Sequence, residues 1–313
     1  MKKKTGSSKK NWAWRLMNLI LRIVILLVFD RHGICAPPFM DFEGVGGGGI
    51  VPGAYLVNPP KHGEWIGKPA FSHWSLIGLN QKDSGLYTNG FAFSFLERFE
   101  FGYVLETMDF RRLKRQLKKA SGGKVDVERP TIFMHDIHLK TLFIKENTYV
   151  PAFAITVEFK YNTTIADQNR NIGHGLTKVG YDGDYGWDFD FSFSKTITEA
   201  FYYPIVINAT LRLTRGHYLG LLGFSKDYTA NGELSVACLP FSNLGGGIEV
   251  RQQNDEFKPL PMQGFTMHED TFWDIFVMWL PNEKLSVTGA YTRYGNTVNK
   301  DINFFVLNLK YDF

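Results

Sequence analysis

The chain has 313 residues, a formal net charge of +4, 44% hydrophobic residues and 15% aromatic residues. This composition is too apolar and too aromatic for a disordered chain. No run of about 18 apolar residues occurs after position 30, which excludes a protein with several membrane-spanning helices. The two cysteines are too few for a disulfide framework or a multi-cysteine metal site.

Residues 1–36 are predicted to be a secretory signal peptide with an uncertain cleavage site. Several lysines precede an apolar stretch from Leu16 to Phe29, and the small residue Ala36 follows it, an order typical of such peptides. The alternative is a single N-terminal membrane anchor, but the stretch is short for a span and contains Arg22. Without residues 1–36 the net charge is about −3, so charge gives no argument for nucleic-acid binding.

Residues 37–69 form a segment rich in glycine and proline, with four consecutive glycines from Gly46 to Gly49. A glycine run can bind phosphate, but no Gly-Lys-Ser/Thr follows this one, which argues against a nucleotide loop. We interpret the segment as flexible or closely packed chain that enters the domain after it, and therefore as a candidate plug.

From about residue 70 onward, large apolar residues alternate with small or polar ones. Between Pro151 and Tyr161, for example, the odd positions are large and apolar. Successive side chains of a strand point to opposite faces, so each such segment has one apolar face and one polar face. The pattern predicts twelve strands, at residues 70–80, 86–95, 99–109, 133–144, 150–161, 184–195, 204–214, 233–239, 244–252, 271–280, 285–294 and 302–313.

A soluble sandwich would also alternate, but two features favour a membrane barrel. The polar faces carry small residues and charges, as a narrow interior requires, and the apolar faces carry aromatics near both strand ends. The connections after even-numbered strands are short, and most of the others are long, including Asn162 to Gly183 and Arg215 to Gly232. We therefore predict an all-β, antiparallel up-and-down transmembrane barrel of about twelve strands over residues 70–313. Its predicted location is the bacterial outer membrane, with both termini periplasmic.

Phe313 ends an alternating strand and is the last residue of the chain. A terminal aromatic at this position resembles the assembly signal of bacterial outer-membrane barrels. The predicted partners are therefore the outer-membrane lipids and the barrel-assembly machinery.

Several stretches resemble a family of uncharacterised bacterial proteins, the domain of unknown function 3034. The resemblance runs from about Phe42 to Phe313 and is carried by FEGVGGGGIVP (Phe42 to Pro52), YLGLLGF (Tyr218 to Phe224), GIEVRQQ (Gly247 to Gln253) and FWDIFVMWLPNEKLSVTGAYTRYGN (Phe272 to Asn296). It implies a signal peptide, an outer-membrane barrel and no catalytic residues. The chain departs from the usual pattern in the long basic insert after Phe110.

Charged residues of both signs occupy inward positions on neighbouring predicted strands. The candidate lumen residues are Glu158, Lys160, Asp188, Asp190, Arg212, Glu249 and Arg251. Small residues such as Gly90, Ala92 and Ala154 keep the side-chain volume of much of the inner wall low, so we predict that the charges line a water-filled path and that the protein is a narrow porin-like channel for small polar solutes. If they pair with one another, it is a closed structural or surface-interaction barrel. Transport of apolar ligands, with the N-terminal segment as a plug, is a third interpretation.

We predict no cofactor and no metal site. In a strand, His135 faces away from Asp136 and His138, so these three residues do not form a metal site together. Some outer-membrane barrels are hydrolases with a Ser–His pair on the outer face, but no serine stands in a recognisable motif with a histidine, and we predict that the protein is not an enzyme.

The basic segment Arg111 to Lys119 is predicted to be a short amphipathic helix. It either touches anionic lipid headgroups or is solvated without a partner.

Overall fold

A computed structural model describes residues 39–79, 85–109, 111–120, 123, 130–198, 201, 203–241, 243–253, 270–296 and 301–313. The predicted signal peptide lies outside these residues. Within them, no helix combines the length and apolarity that a membrane span needs.

The described residues form twelve antiparallel strands that close into one barrel. The strands are β1 Ala70–Gly78, β2 Gly85–Phe95, β3 Phe99–Asp109, β4 Thr131–Ile144, β5 Ala152–Asn162, β6 Tyr185–Ile197, β7 Ile205–Gly216, β8 Phe224–Phe241, β9 Leu244–Arg251, β10 Phe272–Trp279, β11 Leu285–Asn296 and β12 Asp301–Asp312. Each strand pairs with the next in sequence, and β12 pairs with β1, so the sheet has no free edge. The predicted fold class is confirmed.

Strand β8 differs most from its prediction, because it begins at Phe224 rather than near residue 233. The predicted long loop from Arg215 to Gly232 is therefore wrong, and only His217 to Gly223 connect β7 with β8. Residues 226–230 are exposed or half-exposed, so this end of the hairpin projects beyond the apolar belt. Because neither face of residues 226–230 is buried, their sequence shows no alternation of apolar and polar residues.

The outer face of the barrel is an exposed apolar belt. In β10, Phe272 and Phe276 point inward and are buried, whereas the alternate residues Trp273, Ile275 and Val277 are exposed. Exposed large apolar side chains recur on the outer faces of the other strands, with aromatics near the strand ends. Water-soluble proteins rarely expose a continuous apolar surface of this kind, whereas transmembrane barrels require one. The outer face is therefore the lipid face.

The two ends of the barrel differ in their connections. One end, the turn end, carries the short connections after the even-numbered strands, such as Leu96 to Arg98. Leu96 and Glu97 both have positive φ, as in the tight turns whose twist suits a β-hairpin. A hydrogen bond from Lys145 lowers the pKa of the exposed Glu97 carboxyl.

The other end, the loop end, carries three short helices in its longer connections. These are α1 Arg111–Ala120, α2 Ile165–Asn171 and α3 Gly175–Val179. The predicted basic helix is present as α1, and its role stays a prediction. Ala70 pairs with Asp312, so the barrel domain begins and ends at the turn end. That this end is periplasmic also stays a prediction.

Candidate functional site

The inner segment, Phe39 to Val57, lies inside the barrel and is almost completely buried. Its backbone binds carboxylates of the wall: Glu100 accepts hydrogen bonds from Gly46 and Val57, at 3.0 and 2.5 Å. Glu249 accepts from the backbone N–H groups of Gly49 and Ile50, at 2.8 and 2.6 Å. The wall therefore satisfies backbone groups that would otherwise be buried without partners.

The glycine run of the inner segment passes where side chains have no room. A Cβ atom on Gly47 would lie 2.2 Å from the backbone nitrogen of Gly53, and one on Gly48 would lie 1.8 Å from Oε1 of Glu249. Only glycine permits such a close approach to backbone and wall. The run therefore serves close packing within the barrel.

Glu43 of the inner segment lies at the centre of a network of buried charges. Nη2 of Arg212 and Nη2 of Arg251 lie 2.9 and 2.8 Å from its Oε2 atom. Lys160 forms a third ion pair, with Oε1. The three cations come from β7, β9 and β5, and all four side chains are buried. Buried charges are stable only when paired and hydrogen-bonded, so Glu43 and these strands stabilise one another.

Arg212 makes the largest number of ion pairs in this network. In addition to Glu43, its guanidinium lies 3.0 Å from Glu233, 3.1 Å from Asp190, 3.3 Å from Glu158 and 3.5 Å from Asp188. A planar guanidinium has five N–H donors, so a single arginine can pair with several carboxylates at the same time. Arg212 thus links the inner segment to β5, β6 and β8 as well as to its own strand.

The structure brings six of the seven candidate lumen residues into this network. They are Glu158, Lys160, Asp188, Asp190, Arg212 and Arg251. The seventh, Glu249, instead binds the backbone of the inner segment. Sequence reasoning missed Glu43 and Glu233. Glu233 had a signal, because it lies on the inward face of a predicted strand; Glu43 lies outside any strand, so no alternation marks it.

Three carboxylates of the network are close enough to hold a cation together. Oxygens of Glu43, Asp136 and Glu158 lie within 4.8 Å of one another. However, Nζ of Lys160 forms ion pairs with all three, at 3.0 Å from Glu158 and 3.8 Å from Asp136. The Lys160 ammonium group is therefore already paired with these carboxylates, and we assign no metal to them.

An apolar layer fills the lumen at the loop end. The turn between β7 and β8 folds inward and buries Tyr218 and Leu219. Tyr294 stacks on Phe272 with ring centroids 4.1 Å apart, and it lies edge-on to Phe304 at 5.7 Å. Tyr218 stacks on the same tyrosine at 6.3 Å. The described lumen thus contains an apolar layer at one end, the charged network at the centre and the inner segment.

The inner segment continues into chain that leaves the barrel at the turn end. Gly67 donates a backbone hydrogen bond to Ser94 at the end of β2, and Leu96 donates one to Trp65. Trp65 and Ile66 are exposed. At the same end, Phe313 is exposed and its backbone N–H donates to Pro69 at 3.1 Å. Its role as an assembly signal stays a prediction.

Comparison with solved structures returns outer-membrane barrels. The KdgM porin has a TM-score of 0.46 at 7% identity and covers 78% of this chain and 99% of its own. Omp33 of Acinetobacter baumannii has a TM-score of 0.44 at 10% identity, with 79% and 98% covered. Outer membrane phospholipase A from Escherichia coli has a TM-score of 0.39 at 5% identity, with 78% and 92% covered. No curated protein matches the chain.

A closed antiparallel barrel with a lipid-facing apolar belt is the architecture of bacterial outer-membrane proteins. The protein therefore resides in the bacterial outer membrane. That the protein is not an enzyme stays a prediction. The family model described as "Protein of unknown function (DUF3034)" matches residues 37–303, and the chain therefore belongs to this family.

Proposed function

We propose that the protein is a closed, non-conducting outer-membrane barrel that functions through its outer surface and its loops. One observation carries the proposal: Arg212 and Arg251 point into the centre of the barrel, yet they are 1% and 0% exposed. Charges that line a water-filled channel are hydrated, whereas these are covered by protein and paired with Glu43. The geometry thus favours the closed barrel over the narrow porin-like channel.

The inner segment is the part of the chain that keeps the lumen shut. It is anchored from several directions, by the cation network at Glu43 and by the carboxylates of Glu100 and Glu249. Thr210 adds a hydrogen bond to the carbonyl of Pro52, at 2.8 Å. Together with the apolar layer at the loop end, these contacts leave the centre of the described lumen without exposed charged groups.

Planar-bilayer recording of the refolded chain tests this proposal. The wild type should give no stepwise currents, and a variant without residues 39–57 should conduct small ions. A matched control replaces Lys61–Glu64, which are exposed parts of the same N-terminal segment, with a Gly-Ser sequence of equal length. The control should remain silent. Steady conductance from the well-folded wild type would contradict the closed barrel.

A second candidate is a gated passage for small polar solutes, opened when the inner segment moves. Small wall residues such as Ala92, Ala152 and Ala154 favour this candidate, because they leave space once the segment is displaced. Among the described residues outside the inner segment, nine acids are buried, compared with five lysines and arginines. The variant without residues 39–57 should therefore prefer cations, as measured by its reversal potential in a salt gradient. Voltage-dependent openings of the wild type would favour this candidate.

A further inference from the structure

Three polar side chains form a hydrogen-bonded chain on the lipid face of the barrel. His73 and Ser75 lie on β1 and Asn89 lies on β2, all at outward positions. Nε2 of His73 is 2.8 Å from Oγ of Ser75, and Nδ1 of His73 is 2.9 Å from Oδ1 of Asn89. We call these residues the outer-face triad.

The pairing of β1 with β2 places the three side chains together. His73 and Ser75 are two residues apart, so they share one face of the strand. His73 and Asn89 are direct cross-strand partners, and such pairs have Cβ atoms about 4.5–5.5 Å apart. The triad is therefore built on paired strands of a closed barrel, which hold it more rigidly than loops would.

The hydrogen bonds determine which nitrogen of His73 carries the proton. The Oδ1 atom of Asn89 can only accept, so it selects the tautomer with a proton on Nδ1. The Nε2 atom is then an acceptor for the hydroxyl proton of Ser75. A serine that donates to a histidine, which is itself oriented by a third group, is the arrangement that activates serine as a nucleophile. Both distances fall in the range of about 2.6–3.2 Å expected for such a pair.

The surroundings of Ser75 indicate which kind of substrate it would contact. On the other side of β1, Ser75 pairs with Leu307 of β12 and His73 pairs with Leu309, both exposed to lipid. Polar groups cost free energy on a lipid-facing surface, which makes such groups candidates for function. Ser75 also pairs with Tyr87, and tyrosines are enriched at the depth of the lipid headgroups. Ser75 is three residues from the loop end of β1, so it lies in the half of the lipid face that is nearer to this end.

We propose that the outer-face triad hydrolyses acyl esters of membrane lipids, with Ser75 as nucleophile, His73 as general base and acid, and Asn89 as the positioning residue. As Oγ of Ser75 bonds to the ester carbonyl carbon, its proton passes to Nε2 of His73. The bond to the alcohol oxygen then breaks, and His73 returns the proton to that oxygen. Water next attacks the acyl-serine, passes its proton through His73 back to Ser75, and releases the fatty acid.

Two measurements on the refolded full-length protein test this. The first is covalent labelling with a fluorophosphonate probe, mapped by peptide mass spectrometry. The second is release of fatty acid and lysolipid from mixed micelles of detergent and phosphatidylethanolamine. Wild type should be labelled at Ser75 and should release both products. Ser75→Ala and His73→Ala should lower the release at least about 100-fold, since both members are needed for nucleophilic attack.

Asn89 requires a readout that a purely structural role would not change. Asn89→Ala should slow the release, and Asn89→Asp should restore most of it, because a carboxylate accepts the same hydrogen bond from Nδ1. Thr107→Val is the matched control, since Thr107 is an outward residue of β3 that pairs with Tyr87 outside the triad. It should label and hydrolyse as the wild type does. Heat-modifiable migration confirms that each variant is folded.

Two results would overturn the proposal. One is folded wild type that is neither labelled at Ser75 nor active on phosphatidylethanolamine. The triad would then be three polar side chains that only form hydrogen bonds with one another. The other is lipid release that persists unchanged in Ser75→Ala.

Discussion

Arg212 shows how much of the structure depends on a single side chain. It forms ion pairs with Glu43 of the inner segment and with carboxylates on three neighbouring strands. Removing one member of a buried ion pair leaves its partners charged and unpaired, which costs much more free energy than losing a surface pair.

Arg212→Ala should therefore lower the free energy of unfolding by about 3–5 kcal/mol, because Asp190 and Glu233 lose a buried partner. The measurement is the thermal midpoint followed by heat-modifiable migration in detergent. Arg170→Ala is the control: it removes an exposed ion pair with Asp167 and should change the free energy by about 0–1 kcal/mol. Equal effects of the two substitutions would mean that water reaches the network around Arg212.

At the scale of one element, the inner segment depends on its glycines. Gly47→Ala would place a Cβ atom 2.2 Å from the backbone nitrogen of Gly53 in the same segment, so these two parts of the segment must move apart. We expect a lower thermal midpoint and intermittent currents in planar bilayers, because the contacts to Glu100 and Glu249 weaken together.

Gly289→Ala in β11 is the matched control, since no heavy atom lies within 4 Å of its added Cβ. It should be silent in bilayers and as stable as the wild type. If Gly47→Ala behaves in the same way, the inner segment is looser than its contacts indicate.

The whole molecule depends on the pairing of its last strand with its first. β12 pairs with β1 from Ala70↔Asp312 to Gly78↔Phe304, and Phe313 extends just beyond this ladder. Phe313 is 57% exposed, so it adds little buried apolar area to the finished barrel.

Deleting Phe313 should lower the amount of barrel assembled in cells, while the refolded protein keeps nearly the same thermal midpoint. The measurements are immunoblots of outer-membrane fractions and heat-modifiable migration of purified protein. Phe241→Ala, which removes another exposed outer-face aromatic, is the control and should assemble normally. Unchanged assembly without Phe313 would rule out the proposed signal.

Alternation of residue types predicted most of the strands and the lipid face, because side-chain direction in a strand is a local property with a period of two. The antiparallel barrel also required the alternation of short and long connections. Alternation of residue types failed for the first part of β8, where residues 226–230 are exposed or half-exposed on both faces and no alternation arises. The contents of the lumen were decided only by tertiary structure: Glu43 meets Arg212 and Arg251 because closure of the barrel brings β7 and β9 to the inner segment. The outer-face triad has the same origin. His73 and Ser75 are close in sequence, but the register between β1 and β2 places Asn89 opposite His73, and no single strand encodes that register.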